Sequence, residues 1–594
     1  MKRELPGLIV GILLCALAAW QLDWLGAGLF DPIVHGENED WDWQLALYEA
    51  TRRSLLVDGT LPLWNPWVQG GVPLWANPEM PGLYPGFLAV LALGTEAGLK
   101  VWMLGHLWLL VWGCWLAGRE VGLGPVAAHG AALLTLCSAF VPGFIAYGHV
   151  MYLPLGWLPL AWVAQRRGQW PNAAMCLALP MLAGGHYLLV YGALWLGLDG
   201  LLRGLREDRL RWLGAVLALN GLALGVGWAA WPLGLAGVVV LGLQRPQSLR
   251  KTVPPVVWAG ILCAALLACR LTVAPALFER AERLAAQTSL SIADPYTPWL
   301  AWQVLTGAVE RMSGHEGQNV FWTGVGPALG YAGLCWAAWK RPVFGVLGLI
   351  WWNLGWGGST PVNLLELLHR LPGFDHLRVV ERYSLVWTLF LGWGMGFVFS
   401  RWRGWGGRVV GLAAAAWILV TAAPEAATTQ RLGPGPQADV AAGAFVQTDD
   451  ELTSFQALRA NRGKIDCWTT AWLEDPSESL RAVGHEGYRG EVWRTDGGEV
   501  EASLVPGRVT VQLDTPARVV VNQNAFRGWT VDGREADEHD GLLSAELPAG
   551  EHVFVYRPPG FWLGLLVSLA ALVAWVGLVR STARGRAASG SAPR

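Results

Sequence analysis

The chain has 594 residues, 53% of them hydrophobic and 15% charged, with a net charge of −2. Soluble domains carry about 25% charged residues, so this balance predicts a membrane protein, and a charge near zero gives no basic field for nucleic acid. Seven of the eight Cys lie in apolar runs and only Cys467 lies in a polar one, which leaves no disulfide framework and no zinc spacing.

The chain begins MKRELPGLIVGILLCALAAW, two cations and then an apolar run, as a signal peptide does. The apolar stretch continues to Phe30 with no small-x-small cleavage site, so it reads as a retained first transmembrane helix. Residues 31–85 then form the most polar segment of the first half. They hold the acids Glu37, Glu39, Asp40 and Asp42, followed by two Trp-rich turns, LPLWNP and VPLWANPE. Pro fixes φ and Asn favours turns, so these read as rigid spacers. Trp64 and Trp75 on them either anchor at the membrane interface or line a sugar or lipid entrance.

Further apolar spans follow at 97–118, 125–147, 149–165, 171–202, 212–243, 254–276, 320–339, 342–357, 380–400, 407–423 and 560–580. The spans 171–202 and 212–243 are long enough to be tightly turned pairs, bending at Gly184-Gly185-His186 and Gly225-Val226-Gly227. Counted so, the chain crosses the bilayer about 14 times. An even count puts Lys2-Arg3, Arg166-Arg167, 203–211, 245–251, Lys340-Arg341, 401–408 and 580–586 on one side. Such cationic loops mark the cytoplasmic face, with both termini there. The segments 31–85, 277–319, 358–379 and 424–558 then lie outside.

The 277–319 loop opens with ERAERLAAQ, an amphipathic interfacial pattern. Residues 424–558 are charged, with period-two runs at 508–513, 517–522 and 552–556 and turn signals at Asp532-Gly533 and Pro548-Ala549-Gly550. They predict a small β-sandwich over about 490–558. The expected architecture is therefore mostly α: a transmembrane domain over 1–423, an extracytoplasmic β domain over 424–558 and a last helix over 559–580. A disordered, Ser/Ala/Arg-rich cytoplasmic tail over 581–594 completes it.

Several stretches together resemble the YfhO-like bacterial membrane proteins, a branch of the GT-C glycosyltransferase superfamily. They are Asp40-x-x-x-Gln44, 58–66 (DGTLPLWNP), 70–78 (GGVPLWANP) with Tyr84-Pro85, Gly184-Gly185-His186, and 371–378 (LPGFDHLR) with Glu381-Arg382. Near the end come Phe526-Arg527-Gly528-Trp529, Val531-Asp532-Gly533 and PAGEHVFVYRPPGFWLG. The departures are local: the extra acid Asp42, and Glu79 where the family often carries a neutral polar residue. The resemblance implies a GT-C-like polytopic enzyme of the bacterial cytoplasmic membrane. It would take a sugar from a polyprenyl-phosphate donor to a cell-envelope glycan, lipid or protein on the outer face. Members of that superfamily place an essential acid in the first outer loop, and Asp40 stands there.

The residues allow the same chemistry. A lipid phosphate leaves without needing a proton, so a carboxylate is wanted as general base for the acceptor hydroxyl. Cations must hold the phosphate, and Arg does so in bidentate geometry. On a helix over 38–57, Asp40 and Gln44 share a face while Asp42 points roughly away. Asp40, Asp42 and Gln44 are the catalytic candidates. Glu79, His149, His186, Arg378 and Arg382 are the substrate-binding candidates. Arg378, Glu381 and Arg382 form either an anion site or a structural ion network. Buried Arg270 is costly in hydrocarbon and suits a cavity wall. The acids with His35 could hold a divalent cation, although no ligand spacing demands one. A flippase for a lipid-linked saccharide and a non-catalytic envelope assembly factor are the competing readings. Against the flippase, the sequence shows no pair of internal repeats with interrupted helices.

Overall fold

A computed structural model describes residues 39–136, 144–145, 148–222, 249–275, 325–356, 362–371, 380–401, 444–467 and 479–588, with Ile12, Thr360 and Phe374 singly. The first apolar span, His35, Glu37, the 277–319 loop, Arg378 and the Gly225-Val226-Gly227 turn lie outside them. So do the 407–423 span and the 424 boundary of the C-terminal domain.

Among the described helices are α1 (Glu39–Leu56), α2 (Thr95–Glu120), α3 (Pro125–Leu136), α4 (Trp157–Arg166), α5 (Trp170–Leu182), α6 (His186–Leu202) and α7 (Glu207–Leu222). They continue as α8 (Leu249–Leu266), α9 (Val325–Lys340), α10 (Pro342–Trp356), α11 (Ser384–Arg401), the short α12 (Ser454–Arg459) and α13 (Phe561–Ala588). Runs of Leu, Ala, Val and Trp produce them, and internal glycines are tolerated in α9, α10 and α11 where the helices pack closely on one another. The span 171–202 is a tightly turned pair, α5 and α6, bending at Gly184 with φ +93°.

Two of the described helices are long and apolar enough to cross a membrane, Thr95–Glu120 and Phe561–Thr582. Shorter apolar helices run Pro125–Leu136, His186–Leu202, Pro255–Leu266, Pro342–Trp356 and Leu385–Ser400. The other spans behind the expected count are shorter than a bilayer here or lie outside the described residues. One expectation fails over part of the C-terminal tail: residues 581–588 continue α13 to Ala588, and 589–594 lie outside the described residues. The Ala and Arg of 581–588 are good helix formers and no Pro interrupts them.

The helical body is centred on aromatic rings. Trp162 of α4, Trp195 of α6, Phe344 of α10, and Phe390 and Trp393 of α11 pack with centroids 5.0–6.4 Å apart. Two polar groups in and beside this core are spent on backbone: Trp393 Nε1 donates to the Cys114 carbonyl, and Asn353 Nδ2 to those of Leu217 and Leu349.

The C-terminal region is β-rich and forms two antiparallel sheets. One antiparallel sheet has the order β10-β9-β13-β7-β6, from Arg534–Glu535, Trp529–Val531, Gly550–Tyr556, Arg508–Leu513 and Glu501–Val505. The other has the order β11-β12-β8-β5, from Asp537–His539, Leu542–Leu547, Ala517–Asn524 and Val492–Arg494. The β9–β10 hairpin turns on Asp532-Gly533, both at positive φ (48° and 82°), as a two-residue primed turn requires. Val509, Val511, Val519, Val521 and Phe554 are buried in the hydrophobic core. Ahead of these sheets, β3 (Val446–Thr448) and β4 (Arg462–Lys464) pair in parallel around α12.

The first-loop turns are not free spacers. Trp64-Asn65 and Val72-Pro73 form a two-strand hairpin, β1 (Trp64–Asn65) with β2 (Val72–Pro73), and the loop between the two strands joins the C-terminal region. Lys464 N–H donates to the Trp67 carbonyl and Gln69 N–H to the Lys464 carbonyl, while Asn524 Nδ2 donates to the carbonyls of Gln69 and Gly71. Trp64 is fully buried among Phe526, Trp529 and Tyr556, with its Nε1 donating to Gln523. Trp75 packs on Phe561 and donates to the Cys269 carbonyl. Both readings of these tryptophans, membrane interface and substrate entrance, are thus corrected. Each ring finds an apolar socket and one hydrogen-bond acceptor inside the protein, which leaves neither edge for lipid or sugar.

Candidate functional site

Asp40 lies in the first turn of α1, where an acid suits the helix N-terminus. Its Oδ2 is 2.6 Å from His149 Nε2. Gly148, at φ +76°, makes this approach possible, because a side chain there would run into the backbone of Asp40 and Trp41. Nδ1 of the same imidazole is buried and meets no hydrogen-bond partner among the described residues. Asp40 keeps about twice the side-chain exposure of His149 (25% against 11%), so the carboxylate is the more accessible half of the pair.

Gln44 is one turn further along α1, on the face of Asp40, as expected. It is buried and donates through Nε2 to Glu79 Oε2 at 3.0 Å, and Trp43 Nε1 reaches the same oxygen at 3.0 Å. Glu79 is 4% exposed and sits on a turn built by its own neighbours. Asn77 Oδ1 accepts its N–H, an Asx turn, and Arg270 donates to the carbonyls of Trp75 (2.8 Å) and Asn77 (2.6 Å) and to the Met80 sulfur. Arg270 therefore braces the turn rather than facing a cavity as a loose cation. The α5–α6 turn presses on the other side: a Cβ on Gly184 would lie 2.5 Å from the Glu79 carbonyl oxygen.

Arg382 completes the cluster. Its guanidinium lies over the rings of Tyr187 (4.8 Å) and Tyr152 (5.3 Å), within electrostatic reach of Glu79. Tyr191 and Tyr383 stack beside them at 5.0 Å. His149 and Tyr152 are neighbours, centroids 6.0 Å apart, so the acid pair and the arginine share one wall. His186 packs on Tyr187 at 4.3 Å, behind the arginine. Asp40, Gln44, Glu79, His149, His186 and Arg382 are thus gathered in one region from five separate stretches of chain.

Asp42 is not among them. Its two carboxylate oxygens accept the N–H groups of Ser454 (2.7 Å) and Phe455 (2.9 Å) in the C-terminal region. With both oxygens so used, the catalytic assignment of Asp42 gives way to a structural one. The divalent-cation expectation involves His35 and Glu37, which lie outside the described residues; among the described residues no group of three or more His, Cys, Asp or Glu is placed to hold a metal.

Sequence reasoning missed the tyrosines. The chain has 11 Tyr, and four of them (Tyr152, Tyr187, Tyr191 and Tyr383) stand around Arg382. The signal was present, since Tyr152 follows His149 by three residues and Tyr187 follows His186 directly. Tyr84, at the end of the first loop, packs on Trp102 and His106; burial pushes its phenol up to about 12, so it stays protonated while accepting from Trp157 Nε1.

Chemically, the arrangement offers a carboxylate with an imidazole partner, able to take a proton. Beside it stands a cation backed by aromatic faces, suited to an oxyanion. No protein-family model, curated protein or solved structure matches the chain. What fold and site define is a helical body joined to a β-rich region, with an acid–imidazole pair and an aromatic-backed arginine where the first loop meets the helices.

Proposed function

We propose that the protein is a polytopic glycosyltransferase of GT-C type in the bacterial cytoplasmic membrane. It transfers a sugar from a polyprenyl-phosphate donor to a cell-envelope acceptor on the outer face, with Asp40 as general base. The observation that carries the reading is the convergence of Asp40–His149 with Arg382 on one wall. In the reaction, the acceptor hydroxyl loses its proton to Asp40 as its oxygen bonds the anomeric carbon. The carbon–oxygen bond to the phosphate breaks, and the lipid phosphate departs with the electron pair. Arg382 faces the charge that develops on that phosphate. His149 donates to Asp40 and holds the carboxylate in the orientation the hydroxyl needs. Glu79 is the counter-charge that keeps Arg382 in place between the tyrosines.

The membrane assignment draws on the composition, the two long apolar helices and the shorter apolar ones. Removing the gene should cause one lipid-linked sugar to accumulate, and mass spectrometry of the extracted lipids identifies it. Restoring the wild-type chain should clear it and restoring Asp40→Asn should not. Clearance by Asp40→Asn removes Asp40 as the base. Translocation of the donor in reconstituted vesicles without sugar transfer favours the flippase instead.

A further inference from the structure

The C-terminal region reaches α1 at two points. Near the start of α1, Asp42 accepts the N–H groups of Ser454 and Phe455 at the first turn of α12. Near its end, Arg53 donates to the Leu458 carbonyl in the last turn of α12 at 3.3 Å. The remaining donors at the head of α12 are satisfied locally by a capping box between Thr453 and Gln456. Thus α12 depends on Asp42 for two of its end groups, and the turn of α1 that carries Asp40 is tied down by the same carboxylate. Behind α12, β4 is bonded to the 67–69 stretch of the first loop, and Gln447 of β3 donates to the Pro66 carbonyl.

From this clasp we infer that the C-terminal region is a positioning element of the first-loop site. Asp42 and Arg53 are its positioning residues, holding α1 so that Asp40 stays on His149. The inference rests on the reading that Asp40 and His149 form the working pair. A carboxylate two residues from Asp40, turned the opposite way and bound to another part of the chain, fixes both the depth and the rotation of that helical turn. A catalytic carboxylate must be held this closely, because small misplacements of a reacting group cost large factors in rate.

The test uses the full-length protein in detergent micelles. Diethyl pyrocarbonate is the probe, and labelling of each His is followed by peptide mass spectrometry. Asp42→Asn removes the charge and one acceptor. Ser454→Pro removes one donor and leaves α12 intact, since proline is favoured at the first helical position and Thr453 already has extended backbone (ψ 161°). Each variant should label His149 about tenfold faster than wild type, the factor expected for loss of a charge-assisted hydrogen bond. His106, buried in α2, should keep its wild-type rate and so reports intact folding. The double variant should be no faster than either single one, because both remove the same contact. Unchanged His149 labelling in the two variants, or additive effects in the double variant, overturns the inference. In the transfer reaction the same variants should lower turnover with the donor KM unchanged. The labelling needs no substrate, so a chain without transferase activity would remove the proposed function and leave the clasp standing.

Discussion

His149 Nε2 lies 2.6 Å from Asp40 Oδ2, which ties the first turn of α1 to the segment that leads into α4. The contact makes the two residues one unit, and their replacements should be read together. Asp40→Asn should lower sugar transfer by about 10²–10⁴-fold, the usual worth of a positioned general base. His149→Gln should lower it less, because the amide can still donate to Asp40. The measurement is transfer of labelled sugar in isolated membranes. A larger loss for His149→Gln than for Asp40→Asn would make the imidazole the proton acceptor.

Arg382→Lys should weaken donor binding although the charge is kept. A lysine ammonium still attracts the rings, but it lacks the planar face that stacks over Tyr152 and Tyr187 and the fork that grips a phosphate with two hydrogen bonds. The expected readout is a raised donor KM, with acceptor KM unchanged.

Gly184→Ala should disturb the site without touching any polar side chain. The new Cβ would stand 2.5 Å from the Glu79 carbonyl oxygen on a residue at φ +93°. A strained left-handed residue costs about 1–3 kcal/mol, and relief requires the Glu79 turn to move from Gln44 and Trp43. A fall in Tm together with reduced transfer is expected, whereas substituting Gly197, which has open space around it, should do neither.

Trp64→Ala should loosen the C-terminal region from the first loop. The ring is enclosed by Phe526, Trp529 and Tyr556, and emptying such a site costs about 3–5 kcal/mol. Limited proteolysis should then release fragments of residues 444–558 that the wild type protects.

Glu491 gives the C-terminal region a pH dependence. Burial pushes its carboxyl up to about 7, against hydrogen bonds from the Gln447 N–H, the Tyr488 hydroxyl and Asn522 Nδ2. The folded state therefore binds the proton more tightly than the unfolded chain. Stability is greatest below the ordinary glutamate range and is lost as pH rises from there through about 7. Protease resistance of residues 444–558 should fall across that window, and Glu491→Gln should flatten the profile.

Much of the fold was legible because its signals are local. The apolar runs placed α2, α10 and the start of α13 to within a few residues, the double glycine placed the α5–α6 turn, and Asp532-Gly533 placed the β9–β10 hairpin. The site was legible in part. The shared face of Asp40 and Gln44 follows from helical period alone, and His149, His186 and Arg382 stood out as polar residues at the ends of apolar runs. Asp42 was assigned wrongly because spacing shows that it points away but not what it points at. The tryptophans of the first loop failed for the same reason: a Trp beside a turn suits a membrane interface, a ligand wall and a domain junction equally well.

The sequence by itself determined the helical character, the β-rich C-terminal region and the polar residues available for chemistry, since these depend on composition, period and turn residues along the chain. Only the tertiary structure decided which of them act together. Asp40 met His149, Glu79 took Gln44 and Trp43, Arg382 found its tyrosines, and Asp42 was given to α12. The physical reason is that a buried polar group must find its partner in space, and for each of these the partner lies on a different stretch of chain.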